Sequence, residues 1–145
     1  MVALAEHANA EVILAGGDVD LQWMATTGPA AVDAIRRHHL DLAIVGVCAF
    51  DLRAGATTRS QREIHTKRAL IESAAQTLIP LESSKLGAIS PFRISTHDDV
   101  EIVIGHSAPE TLEQFETAGV NVSTAPDPSA PAPAACVTDS TTTGT

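Results

Sequence analysis

Apolar positions along this chain alternate between short unbroken runs and stretches of helical spacing. Residues 11–15 (EVILA) form an apolar run closed by Gly16 and Gly17, which predicts a buried strand ending in a turn. A loop, DVDLQWMATTG, follows. At Pro29 the period lengthens: PAAVDAIRRHH puts Val32 and Ile35 on one face, with Pro suited to a first helical turn and Thr27 or Gly28 placed to cap it. Residues 40–49 are nearly continuous in apolar side chains and predict a strand buried on both faces at the centre of a sheet.

A polar loop spans residues 51–61, and REIHTKRALIESAAQ then returns to helical spacing, with Ile64 and Ile71 on a side strengthened by Ala69, Leu70, Ala74 and Ala75. TLIPLES predicts a strand in which Pro80 removes a ladder donor, so an edge position or a bulge is expected. Residues 100–104 predict another strand, PETLEQFETAG a helix stopped by Gly119, and VNVST a last strand. This order implies an α/β fold with a mostly parallel sheet and helices on both faces. Residues 126–145 are rich in Pro, Ala, Ser and Thr without an apolar period and are expected to form a disordered tail, leaving residues 1–125 as one domain.

Composition narrows the function. A chain of 145 residues suffices for one core, and aromatics at 3% leave that core to Val, Ile, Leu and Ala. The formal charge of -9 repels a phosphate backbone, so this chain is not expected to hold DNA unaided. Arg36, Arg37, His38 and His39 close a predicted helix, where cations suit the dipole. No apolar run approaches a membrane span and MVALAEHANA lacks the form of a signal peptide, so a cytoplasmic location is expected. Cys48 and Cys136 have no disulfide or metal spacing. His97, Asp98, Asp99 and His106 likewise match no metal-ligand pattern, and no hydrolase, metalloprotease or nucleotide-binding motif occurs. No cofactor is expected.

Six pieces in one order, VILAGG, TTGP, DLAIVGVCAFD, GATT, EIHTKRALIESA and LESSKLG, resemble the C-terminal sensor domain of DeoR-type transcriptional repressors over residues 11–104 and more loosely to 125. The resemblance implies a Rossmann-like domain related to ribose-5-phosphate isomerase and CoA transferases, which senses a phosphorylated sugar or related metabolite in a homo-oligomeric repressor of carbohydrate-metabolism genes. It implies that a separate helix-turn-helix reads DNA. That domain and the family's Asp-x-Gly-[ST]-Thr loop do not occur in this sequence, so the sensor is expected to be incomplete at its N-terminus. The chain departs from the family pattern at Ala49, where a glycine is usual, at Glu82 in Glu82-Ser83-Ser84-Lys85, where Asp is usual, and at Gly105-His106, where Thr-Asp is usual.

Candidate ligand residues follow from placement and resemblance together. Thr27 and Gly28 precede a helix whose free N–H groups form an anion site, or else serve only as its cap. Glu63 and Lys67 stand four apart; the resemblance places them at the ligand cleft, while spacing alone fits a surface pair. Lys85, with Glu82 beside it, lies just beyond a predicted strand's carboxyl end, where α/β proteins bind ligands, and Asp51 ends the predicted central strand in the same region. For Lys85, Glu82 and Asp51 the alternative is a solvated loop charge. Two other functions stay open: a sugar-phosphate isomerase using Glu63 or Glu82 as base, and a fragment that acts only through subunit contacts.

Overall fold

The computed structural model describes residues 11–98, 100–105 and 109–125. Gly16 and Gly17 hold φ of 73° and 98° and turn the chain into an antiparallel hairpin of β1 (Asp18–Asp20) and β2 (Ala25–Thr27). The Asp20 carboxylate organises its turn, accepting the N–H groups of Gln22 and Trp23 at 3.0 and 3.3 Å. The loop expected here is therefore a hairpin. The strand expected over residues 11–15 is irregular instead, with Val12, Ile13 and Leu14 exposed. An apolar run supplies strand propensity, but no described segment lies beside it to complete a ladder.

Helix α1 (Pro29–Arg36) starts as predicted, with Pro in its first turn and Val32 and Ile35 buried. Helix α2 (Glu63–Ser73) packs on it through Ala69, which is buried with Val32 and Ile35. An exposed Arg36–Glu72 ion pair of 3.0 Å ties the two helices. The third helix, α3 (Pro109–Thr117), precedes Gly119, whose φ of 84° marks the left-handed residue that ends it.

Two sheets carry the core. One is parallel, in the order β3 (Leu40–Ile44), β6 (Ala74–Leu81), β8 (Glu101–Ile104), β9 (Asn121–Thr124). The other is antiparallel, in the order β4 (Ala49–Asp51), β5 (Gly55–Thr58), β7 (Phe92–Ser95). The second sheet was not read as strands because β5 is GATT, with one apolar residue in four, and the alternation of Phe92 and Ile94 in β7 runs over only four residues. Polar β5 is nevertheless buried, since the Thr57 hydroxyl donates to the Ala49 carbonyl at 3.1 Å and accepts the Ser90 N–H at 2.9 Å. Gly55, at φ 70°, is required: a Cβ there would strike the Ser95 carbonyl.

Two expectations about the parallel sheet are corrected. Residues 40–49 do not run through its centre. The strand ends at Ile44 and lies at one end of the sheet's order among the described residues. Val45 still donates to Leu78 at 2.9 Å, but Cys48 donates to Thr57 at 3.0 Å, so the chain changes sheets between them. Pro80, expected at an edge or bulge, lies in an inner strand, but its one partner is Val103 of β8, because the pairing with β3 ends at Leu78. Backbone polar groups alternate in direction along a strand; Leu78 faces β3, so Pro80 does too, just past the last β3 donor. The missing N–H therefore removes the rung that would follow on the Val45 carbonyl, and the ladder with β3 stops there.

Side-chain alternation divides the parallel sheet. Ala43, Val45, Ile79, Leu81, Ile102 and Ile104 are buried in one core with Phe50, Ala56 and Ile94 of the antiparallel sheet and Phe115 of α3. The rings of Phe50 and Phe115 lie 6.0 Å apart. Arg68 pins α2 over the same core by donating to the Ile94 and Arg93 carbonyls at 3.1 and 3.0 Å. The other face carries Leu42, Ile44, Leu78, Pro80 and Val103, in register across β3, β6 and β8. No described helix packs against it, so helices on both faces, as expected, are found on one.

Candidate functional site

Strands β3, β6 and β8 run parallel, which brings their carboxyl ends to one rim of the sheet. Gly46 follows β3 and Gly105 follows β8; a Cβ at either would meet no described atom within 4 Å. Backbone there is open to approach by a ligand. A 3-10 turn over Ser83–Lys85 extends from β6, and the Leu86 backbone pairs with Phe50 while Gly87 donates to the Phe50 carbonyl at 2.8 Å. The turn bearing Glu82 and Lys85 is thus laid beside the strand that bears Asp51.

Of these three, Lys85 is half-buried and its ammonium has no carboxylate partner among the described residues. Glu82 is exposed and accepts the Ser84 hydroxyl at 3.5 Å. Asp51 serves the hairpin: its Oδ1 accepts the Arg53 and Ala54 N–H groups at 2.9 and 3.0 Å.

Glu63 and Lys67 form more than a solvated pair. Lys67 Nζ donates to Glu63 Oε2 at 2.8 Å, with side-chain exposures of only 17% and 10%. The same oxygen accepts the Thr58 hydroxyl at 2.9 Å. Thr58 in turn accepts the Ser60 N–H at 3.3 Å, and Cys48 Sγ lies 3.8 Å from its hydroxyl. This chain of contacts joins the end of β5, the first turn of α2 and the segment after β3. Lys67 is neutralised inside the fold, which leaves Lys85 the freer cation. Spacing revealed the pair; Thr58, five residues before Glu63 across the loop that leads into α2, was missed.

Thr27 and Gly28 lie apart from this group, on the hairpin and α1. Gly28 occupies the N-cap at φ 88° and no side chain caps the helix. Thr27 is buried and donates to the Asp18 carbonyl at 3.4 Å. The Asp18 carboxylate packs against the Gly28 Cα, so closely that a Cβ would sit 2.8 Å from its Oδ2. Ala49, standing where the resembled family has glycine, is buried in β4 without positive φ. His97 pairs with Asp98 at 3.2 Å, while Asp99 and His106 lie outside the described residues, as do Cys136 and the tail from residue 126. No described helix is long and apolar enough to cross a membrane.

Comparison with known proteins is decisive for the family. The family model of the DeoR C terminal sensor domain matches residues 1–107. The chain belongs to the DeoR C-terminal sensor domain family. Among curated relatives, the HTH-type transcriptional regulator GlpR of Haloferax volcanii is 32% identical over 123 residues, covering 83% of this chain and 48% of the relative. The glycerol-3-phosphate regulon repressor of Haemophilus influenzae is 29% identical over 112 residues, 77% of this chain and 44% of its own length. Its Escherichia coli K12 namesake is 28% identical over 98 residues, 68% and 39% respectively. The chain therefore spans just under half the length of the first of these.

Proposed function

We propose that this sensor domain binds a phosphorylated sugar or related metabolite and forms the effector-binding part of a DeoR-type transcriptional repressor of carbohydrate-metabolism genes. The match of the sensor-domain family model over most of the chain carries the reading, and two relatives named for the glycerol-3-phosphate regulon point to the ligand class. Lys85, half-buried at the sheet's carboxyl rim without a described acid partner, is assigned to the phosphate or a hydroxyl, with Glu82 accepting a sugar hydroxyl. Lys67 and Glu63 shape the rim beside it, and Asp51 holds the adjoining hairpin. Thr27 and Gly28, apart from this rim and covered by Asp18, start α1 and do not meet the ligand. Binding then shifts a homo-oligomer between two states that differ in DNA affinity, with DNA held by a helix-turn-helix of the complete cytoplasmic protein.

Sensing without turnover is the favoured mode, because Glu63, a candidate base, is already committed to Thr58 and Lys67. Isothermal titration against a panel of sugar phosphates should give saturable heat for at least one, and Lys85→Ala should weaken it tenfold or more. Silence across the panel would remove the reading. Interconversion of ribose and ribulose phosphates in a coupled assay would replace it with an isomerase.

A further inference from the structure

A cleft of about 640 Å³ opens between the β1–β2 hairpin turn and the loop that leads from β5 into α2. Its volume falls in the range of small-molecule sites. Arg59 and Arg62 line it from the loop, Gln22 and Trp23 from the hairpin, and Ser60 completes the loop wall. Acidic side chains outnumber basic ones eighteen to nine in this protein, yet among the described residues Arg36 is the one arginine with an acid partner. Among the described residues neither Arg59 nor Arg62 has one. Arg36, Lys67 and Arg68, by contrast, are all engaged in the fold. The single carboxylate in the cleft wall, Asp20, turns its Oδ1 to the hairpin N–H groups and approaches neither guanidinium within ion-pair distance. Trp23 is 45% exposed, leaving ring surface bare in the cleft.

Two unpaired guanidiniums are the side chains best suited to a phosphate dianion, which they grip through paired N–H donors. An exposed indole beside them offers a flat apolar wall to the C–H face of a sugar or polyol, and Gln22 and Ser60 supply hydrogen bonds for hydroxyls. We infer that this cleft is a phosphate-recognising subsite for a small phosphomonoester, with Arg59 and Arg62 on the phosphate and Trp23 against the carbon skeleton. The inference rests on the sensing function proposed above but places the phosphate in this cleft instead of at the carboxyl rim, whose lining does not overlap it; Lys85 is then left to a ligand hydroxyl. A small ligand is preferred over a nucleic-acid strand because the chain's charge of -9 repels a polyanion.

Trp23 is the sole tryptophan of the chain, so its fluorescence reports on this cleft alone. The full chain is titrated with glycerol 3-phosphate, glucose 6-phosphate and fructose 6-phosphate, each beside its unphosphorylated parent, with calorimetry in parallel. At least one phosphorylated probe should change Trp23 emission saturably while its parent does not. Arg59→Ala and Arg62→Ala should each weaken that binding tenfold or more with the melting curve unchanged, and Arg59→Lys should restore part of it. Saturable heat with unaltered Trp23 emission and normal binding by both alanine variants overturns the cleft assignment while the sensing function survives. Absence of heat with every probe overturns both. Equal response to parent and phosphorylated compound overturns phosphate recognition, and saturation by a DNA duplex overturns the small-ligand assignment.

Discussion

On one side of the parallel sheet, Ile79, Ile102 and Ile104 have no measurable exposure, enclosed by α3 and by the antiparallel sheet. On the other side, Leu42 and Ile44 are 44% and 67% exposed, and the apolar row continues through Leu78, Pro80 and Val103. Both sides carry apolar residues, although Gln76 and Glu101 interrupt the exposed one. What differs is the cover: Phe50, Ala56 and Ile94 of the antiparallel sheet and Phe115 of α3 close over one face. Hydrogen bonds of Thr57 hold that second layer together.

The contrast is broken most severely by emptying the covered side. Phe50→Ala, which removes the ring that meets Phe115, should destabilise by about 3–5 kcal/mol in chemical denaturation; a loss under about 1 kcal/mol would show that the two layers are not packed as one core. Glu63→Ala leaves a half-buried ammonium and the Thr58 hydroxyl without their acceptor. A loss of about 1–3 kcal/mol is expected, with partial recovery when Lys67→Met is added, measured as a double-mutant cycle. Independence of the two substitutions would mean that the joint between β5 and α2 does not depend on the ion pair. A milder probe, Ile102→Val, should cost about 0.5–1.5 kcal/mol, whereas Ile44→Thr on the bare side should stay within about 0.5 kcal/mol. Equal costs at these two positions would erase the difference between the faces.

Much of the architecture was readable from periodicity. The first and third helices and the last two strands of the parallel sheet lie where spacing put them, whereas α2 stops at Ser73 and Ala74 and Ala75, expected on its apolar side, open β6 instead. What periodicity lacks is information about neighbours. EVILA has the composition of a strand, but the described fold gives it no ladder partner, only the packing of Ala15 on Val32, Ile35 and Ala69. Residues 40–49 carry apolar side chains for two buried faces, and among the described residues no helix covers one of them. In the other direction, β5 and β7 acquire strand structure from partners remote in sequence. The site divides the same way: four-residue spacing disclosed the Glu63–Lys67 pair, and family resemblance directed attention to Lys85. Arg59 and Arg62 stood in plain view three residues apart, yet only the folded hairpin sets Trp23 opposite them.

Pro80 has an effect out of proportion to its size. By withholding one N–H at the point where β3 would otherwise continue alongside β6, it denies the chain a reason to stay. Gly46 and Val47 peel away, and Cys48 is free to be captured by Thr57. A valine at position 80 would offer the next rung, and the two strands would compete to zip further. The proline therefore acts as a junction marker, settling which residues end one sheet and begin another, and keeping the fork between the two sheets from closing.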